Sequence, residues 1–343
     1  MNRLAALAMT ALLLAGCGPT RTTLADRQPS PAATASSGPA ARPNAGDPYV
    51  GLATDLHRRG VQVWFETDLV RAWLSGPADF HATLDRLGRL ARVPGVVGFK
   101  VADELGYHDG ISSPEQGLAF LGAVHRGLTR VAPGTQVLID MVVPDLGCLA
   151  WLDASGETCA ASARVESPAA TSDAVTRYLQ SGWVDRLDLS TSLLDPTTYA
   201  ARGLSLVDAQ RAAWAQAVAL GWPSLTDLQA RKALAAPGGF DGSAGTAKAD
   251  VEVYVDTPVS EGAQAVDIWT WRQPYDGATV SLLPDSLAPN PLWSALQQAR
   301  ARGVSLVTHM TPSTLPTDPV ALAHECDVAA TVFSAVFVAA GTG

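Results

Sequence analysis

The chain has 343 residues, 47% of them hydrophobic, and a formal net charge of −9 at pH 7. That apolar content supports a sizeable core, and the length suits one large α/β domain better than two small ones. The acidic balance, with no basic runs, argues against nucleic acid as a partner.

The N-terminus reads "MNRLAALAMTALLLAGCG", in which Arg3 precedes an apolar stretch from Leu4 to Leu14. The stretch is too short to span a bilayer as a stable anchor and has the layout of a secretory signal peptide. Leu14-Ala15-Gly16-Cys17 resembles the lipobox of bacterial lipoproteins, which implies cleavage after residue 16 and acylation of Cys17. The expectation is an exported protein, lipid-anchored to the outer face of a bacterial membrane. Residues 17–47, rich in Pro, Ala, Ser, Thr and Gly, lack the apolar groups needed to offset ordering entropy and read as a flexible tether. The folded domain is expected over 48–343.

Short β-rich runs then alternate with amphipathic helical stretches. "VQVWFE" (61–66), "VVGFKVADE" (96–104), "TQVLIDMVV" (135–143), "VDRLDLS" (184–190), "SLTDLQAR" (224–231), "AVDIWTWR" (265–272) and "VSLVTHM" (304–310) read as strands. An eighth falls at "ATVFSAVFV" (330–338) or near "YVGLA" (49–53). Repeated βα units imply a parallel sheet with helices outside it. A single (β/α)8 TIM-type barrel is the first expectation and an open doubly wound sheet the second. No glycine-rich phosphate loop follows any strand, so a dinucleotide site has little support.

Of four cysteines, Cys148 and Cys159 lie eleven positions apart in a loop-like segment and are expected to form a disulfide, which contributes about 3 kcal/mol for a loop of that size. A metal site is the weaker alternative there. Cys326 is left over and expected to be buried.

Successive side chains of a strand point to opposite faces. The alternation places Gln62, Trp64 and Glu66 on one face of the first strand, and Gly98, Lys100, Ala102 and Glu104 on that of the second. Asp140, then Asp188 and Ser190, then Asp227, Gln229 and Arg231, then Asp267, Trp269 and Trp271 continue the same face. Apolar residues occupy the opposite one. A structural barrel fills its interior with Val, Ile and Leu; carboxylates, amides, Trp, Lys and Arg in their place imply a working site, or an ion network that plugs the barrel. Glu104 is expected at the carboxyl end, where barrel enzymes keep their chemistry. Asp103 is expected to face the helices or a loop.

A cleft lined with carboxylates and Trp faces resembles the (β/α)8 glycoside hydrolases, with Glu104, Trp269 and Trp271 as the most telling residues. The resemblance implies one protonated carboxyl to release the leaving oxygen and a second carboxylate to attack or to activate water. Glu104 is the expected general acid, with Glu66, Asp140 or Asp267 as partner. Trp64, Lys100, Tyr107, His108, Asp188, Gln229, Arg231, Trp269, Trp271, Arg272 and His309 are expected to contact a carbohydrate. The Asn-Glu pair common in such enzymes is absent, which leaves the nucleophile open. The six histidines show no H-x-H or H-E-x-x-H spacing, which argues against a zinc hydrolase, and no G-x-S-x-G elbow occurs; no metal and no cofactor are expected. The alternative function is a non-catalytic lipoprotein that binds carbohydrate or cell-envelope polymer.

Overall fold

The computed structural model of the chain describes residues 47–148 and 154–339. The expected signal peptide, Cys17 and all but the last residue of the expected tether lie outside the described residues. No helix among those described is long and apolar enough to cross a membrane.

The strands are β1 (Gln62–Glu66), β2 (Val96–Ala102), β3 (Gln136–Val142), β4 (Arg186–Ser190), β5 (Asp227–Ala233), β6 (Ala236–Pro237), β7 (Ala265–Trp269), β8 (Arg272–Tyr275), β9 (Ala278–Ser281), β10 (Leu306–Met310) and β11 (Ala335–Ala339). Parallel pairing runs β1-β2-β3-β4-β5-β7-β10-β11, and β11 pairs back to β1. This is a closed, eight-stranded parallel barrel, as the alternation of strands and helices predicts. The eighth strand is Ala335–Ala339; the competing segment near Tyr49 is instead the helix Pro48–Arg58, whose N-cap Asp47 accepts from Tyr49 N. β8, β9 and β6 are an appendix, antiparallel to one another, joined to the barrel where Arg272 pairs with Met310. The Asp276-Gly277 turn between β8 and β9 has both residues at positive φ, 48° and 75°. That is the geometry of a two-residue type I′ hairpin.

The outer helices start where local chemistry favours it. Ser113, Asn290 and Asp318 cap helices whose first residues are Pro114, Pro291 and Pro319. Ser205 and Asp208 form a reciprocal capping box on Leu206–Ala219. Proline at the first helical position loses no hydrogen bond, and a side-chain oxygen satisfies an orphan N–H. The faces these helices turn inward join Val63, Phe65, Phe99, Ile139, Leu187, Leu228, Val266 and Ile268 in the main core, between helices and barrel. Cys148 and Cys159 are bonded, with Cα atoms 5.5 Å apart. Their surroundings are not a simple loop, since Cys148 ends one helix and Cys159 lies within Ala154–Glu166. Cys326 is buried and reduced.

Candidate active site at the barrel mouth

The barrel interior is stratified. Its lower layer is apolar: Trp64, Leu138, Ala265, Val307, Ala335 and Phe337 pack together. Trp64 lies edge-on to Phe337, with the Arg186 guanidinium 5.2 Å from its ring centre. It is 1% exposed, so it plugs the barrel and cannot serve as the sugar platform expected of it. Gln62 is exposed at the start of β1, at the opposite end from the mouth, and also stands apart from the site.

Above this plug lies an ionic layer. Lys100 Nζ contacts Asp140 Oδ2 at 2.8 Å, Asp103 Oδ1 at 3.2 Å and Glu66 Oε2 at 3.8 Å. Arg231 Nη1 donates to Asp140 Oδ1 at 2.8 Å and to Glu104 Oε1 at 3.2 Å, and Nη2 lies 3.8 Å from Asp103. His309 bridges Glu66 and Asp267, 2.7 Å from each through Nδ1 and Nε2. Asp188 and Gln229 complete the layer as register neighbours on β4 and β5, both fully buried. Lys100, Glu66, Asp140, Asp188, Gln229, Arg231 and Asp267 therefore share the interior, as their alternation along the strands predicts, and His309, at the end of its strand, joins them.

Burial disfavours every charge here, and the neighbours decide what survives. Burial alone would lower His309, but Asp267 and Glu66 outweigh it and raise the imidazole to about 9. Lys100 and Arg231 are likewise held cationic against burial, Lys100 by Asp140 and Glu66, Arg231 by Asp140 and Asp103. Burial would raise Glu66, yet Lys100 and His309 bring it below the ordinary carboxylate value; His309 does the same for Asp267. Asp140 is pushed up to about 6 by burial, with Arg231 and Lys100 opposing. Asp188 is raised well above the usual range by burial, and Asp267 and Asp140 push it further.

The top layer is an open pocket of about 540 Å³ at the carboxyl ends of the strands. Glu104, Ser190, Arg231 and Trp269 line its barrel side, and Tyr275 and Asp276 of the β8–β9 hairpin line the other. Trp269 and Tyr275 meet edge to face at 5.3 Å. The Glu104 side chain is 34% exposed, whereas that of Asp140 is fully covered. Glu104 sits at φ 55°, in the left-handed region. Such a conformation costs about 1–3 kcal/mol for a residue with a side chain and marks functional positions more often than ordinary ones.

Further expectations change. Asp103 does not face the helices: the β2–β3 register slips between Lys100 and Ala102, which restarts the alternation and turns Asp103 towards Lys100 and Arg231. Trp271 is buried against Trp293 in the outer core, and its Nε1 donates to Glu325. Arg272 pairs with Glu325 and Asp285 rather than with anything in the mouth. Tyr107 and His108 do not line the pocket; Asp109 accepts from Gly106 N and Ile111 N, so this stretch is a turn. Tyr275 and Asp276 were not among the expected site residues, although the Asp-Gly pair after Tyr275 is a hairpin signal that predicts a projecting ribbon.

No protein-family model matches the chain, and no curated protein matches it. Solved structures with a similar fold include the carboxyl transferase domain from Rhizobium etli pyruvate carboxylase with oxamate and biotin, at 14% identity over 92% of this chain and 47% of that chain, with a TM-score of 0.46. The same carboxyl transferase domain in another structure gives 13% identity over 85% and 42%, with a TM-score of 0.41. Rhizobium etli pyruvate carboxylase T882A with acetyl coenzyme-A gives 15% over 83% and 22%, with a TM-score of 0.42. The chain spans less than half the length of these proteins. None of the three is a glycoside hydrolase, and likeness at this level carries no argument about the reaction.

Proposed function

We propose that the protein acts on a carbohydrate at the barrel mouth, with Glu104 as the carboxyl group that meets the substrate. The observation that carries this reading is the joint lining of one pocket by Glu104, Arg231, Trp269 and Tyr275. Aromatic faces suit the apolar faces of sugar rings, and polar groups at the rim suit hydroxyls. Glycosidic cleavage requires a second carboxyl. Asp276, the other acid lining the pocket, is a better-placed partner than Glu66, Asp140 or Asp267, which lie in the ionic layer beneath.

The same layering supports a second reading. With the deeper acids engaged by Lys100, Arg231 and His309, the mouth also suits a site that holds a sugar without cutting it. Screening the protein against plant and bacterial polysaccharides, beside Glu104→Gln and Asp276→Asn, separates the two. Cleavage by the wild type that both variants lose by at least a hundredfold, with binding retained, supports hydrolysis. Binding without cleavage supports the second reading, and neither binding nor cleavage removes carbohydrate altogether. The anchor is part of the proposal: Cys17 is acylated and tethers the barrel to a membrane, and a mature N-terminus other than a lipid-modified Cys17 in the native host would reject it.

A further inference from the structure

Independently of what the mouth binds, we propose that the ionic layer is a cation site, in which one hard divalent ion is held by Asp188, Asp267 and the Gln229 side-chain carbonyl. The observations are geometric. Asp188, Asp267 and His309 each bring a potential ligand atom within 4.8 Å of the others, and all three are buried. Among the described residues, both carboxylate oxygens of Asp188 lack a hydrogen-bond partner, as does Asp267 Oδ1. His309 Nε2 holds Asp267 Oδ2 at 2.7 Å, which orients that carboxylate and leaves Oδ1 free. Histidine here orients a ligand instead of binding metal.

Gln229 is the second, separate indication. It is fully buried, and neither Oε1 nor Nε2 has a hydrogen-bond partner among the described residues. Its chain neighbours Leu228 and Ala230 pack into the outer core, so Gln229 faces the axis beside Asp188. A buried amide left without partners is costly, and a cation would satisfy its carbonyl. Charge balance points the same way. Four carboxyl groups (Glu66, Asp140, Asp188, Asp267) share the covered layer with Lys100, Arg231 and His309, and among the described residues none of these three forms an ion pair with Asp188. An all-oxygen ligand set selects an ion of the Mg²⁺, Ca²⁺ or Mn²⁺ class over zinc. The site departs from the expectation of no metal, since its ligands come from three strands and have no spacing that a motif could reveal.

Mn²⁺ titration of the full-length, EDTA-stripped protein, followed by loss of the free-ion paramagnetic resonance signal, is the test. One Mn²⁺ should bind per chain, and Asp188→Asn should weaken it about tenfold or more. Mg²⁺ or Ca²⁺ should raise the melting temperature of the wild type by several degrees and leave that of the variant unmoved. Gln229→Leu, which replaces an unpartnered polar group by an apolar one, gives a second reading should Asp188→Asn fail to fold: weaker Mn²⁺ binding is expected. Mn²⁺ bound equally by wild type and variants, or by none of them, overturns the proposal.

Discussion

Arg231 and Glu104, 127 positions apart in the chain, meet across the barrel mouth with Nη1 3.2 Å from Oε1. The same guanidinium nitrogen reaches down to Asp140 at 2.8 Å. One side chain thus ties the floor of the pocket to the ionic layer, and Glu104 is aimed by the network beneath it.

Lys100 should be the residue on which that network most depends. Its ammonium is fully covered and touches three carboxylates. Lys100→Met removes the cation and leaves buried acids with fewer partners, and breaking a buried pair in this way costs about 3–5 kcal/mol. Urea unfolding should show a lower midpoint with an unchanged slope. A midpoint equal to that of the wild type would mean that solvent reaches the layer.

Asp103 gives the network a pH signature. Desolvation beside the pocket floor opposes its charge, but Lys100 and Arg231 outweigh that and hold the carboxyl well below the ordinary carboxylate range. A depressed folded pKa adds stability above the unfolded value, and this is lost as pH falls through the folded one. Asp103→Asn should therefore be less stable than the wild type at pH 5–7, and the difference should shrink progressively as pH falls below about 4. The side chain is 54% exposed, so solvent screening keeps the difference small. A difference that grows on acidification would contradict the assignment.

The two tryptophans of "WTW" should separate cleanly. Trp269 faces the pocket beside Tyr275, and losing its face should weaken sugar binding by about 2 kcal/mol, roughly thirtyfold. Trp271→Phe should leave binding unchanged while lowering stability by about 1–3 kcal/mol, because the Glu325 carboxylate loses its indole donor. Affinity electrophoresis and thermal melts together check both, and the reverse pattern would exchange their roles.

Gly98 lets Trp64 fill the bottom of the barrel. A Cβ there would lie 2.6 Å from the Trp64 ring and against the Gln136 carbonyl. Gly98→Ala should destabilise by about 1–3 kcal/mol, as overpacked cores do, and should shift tryptophan fluorescence. Unaltered melting would show that the plug has slack.

Much of this was legible in the sequence because a strand's two faces differ at every second residue. Lys100, Asp140, Asp188, Gln229, Arg231 and Asp267 could be assigned to the interior from that alternation alone, and the disulfide from an eleven-residue spacing. Alternation names a face but not a height. Trp64 and Trp269 share the inward face, yet one plugs the bottom and the other lines the mouth, because height along the axis is set by the stagger between neighbouring strands. Alternation also fails wherever the chain departs from a regular strand. The slip after Lys100 turned Asp103 inward, and the end of β7 at Trp269 released Trp271 into the outer core. Period and composition are local properties, and they were enough to favour an α/β barrel with charged side chains on the inward strand faces. Which charges neutralise one another, which are left unpaired and which meet solvent depends on contacts between strands that the chain brings together from far apart, and none of that is written in local pattern.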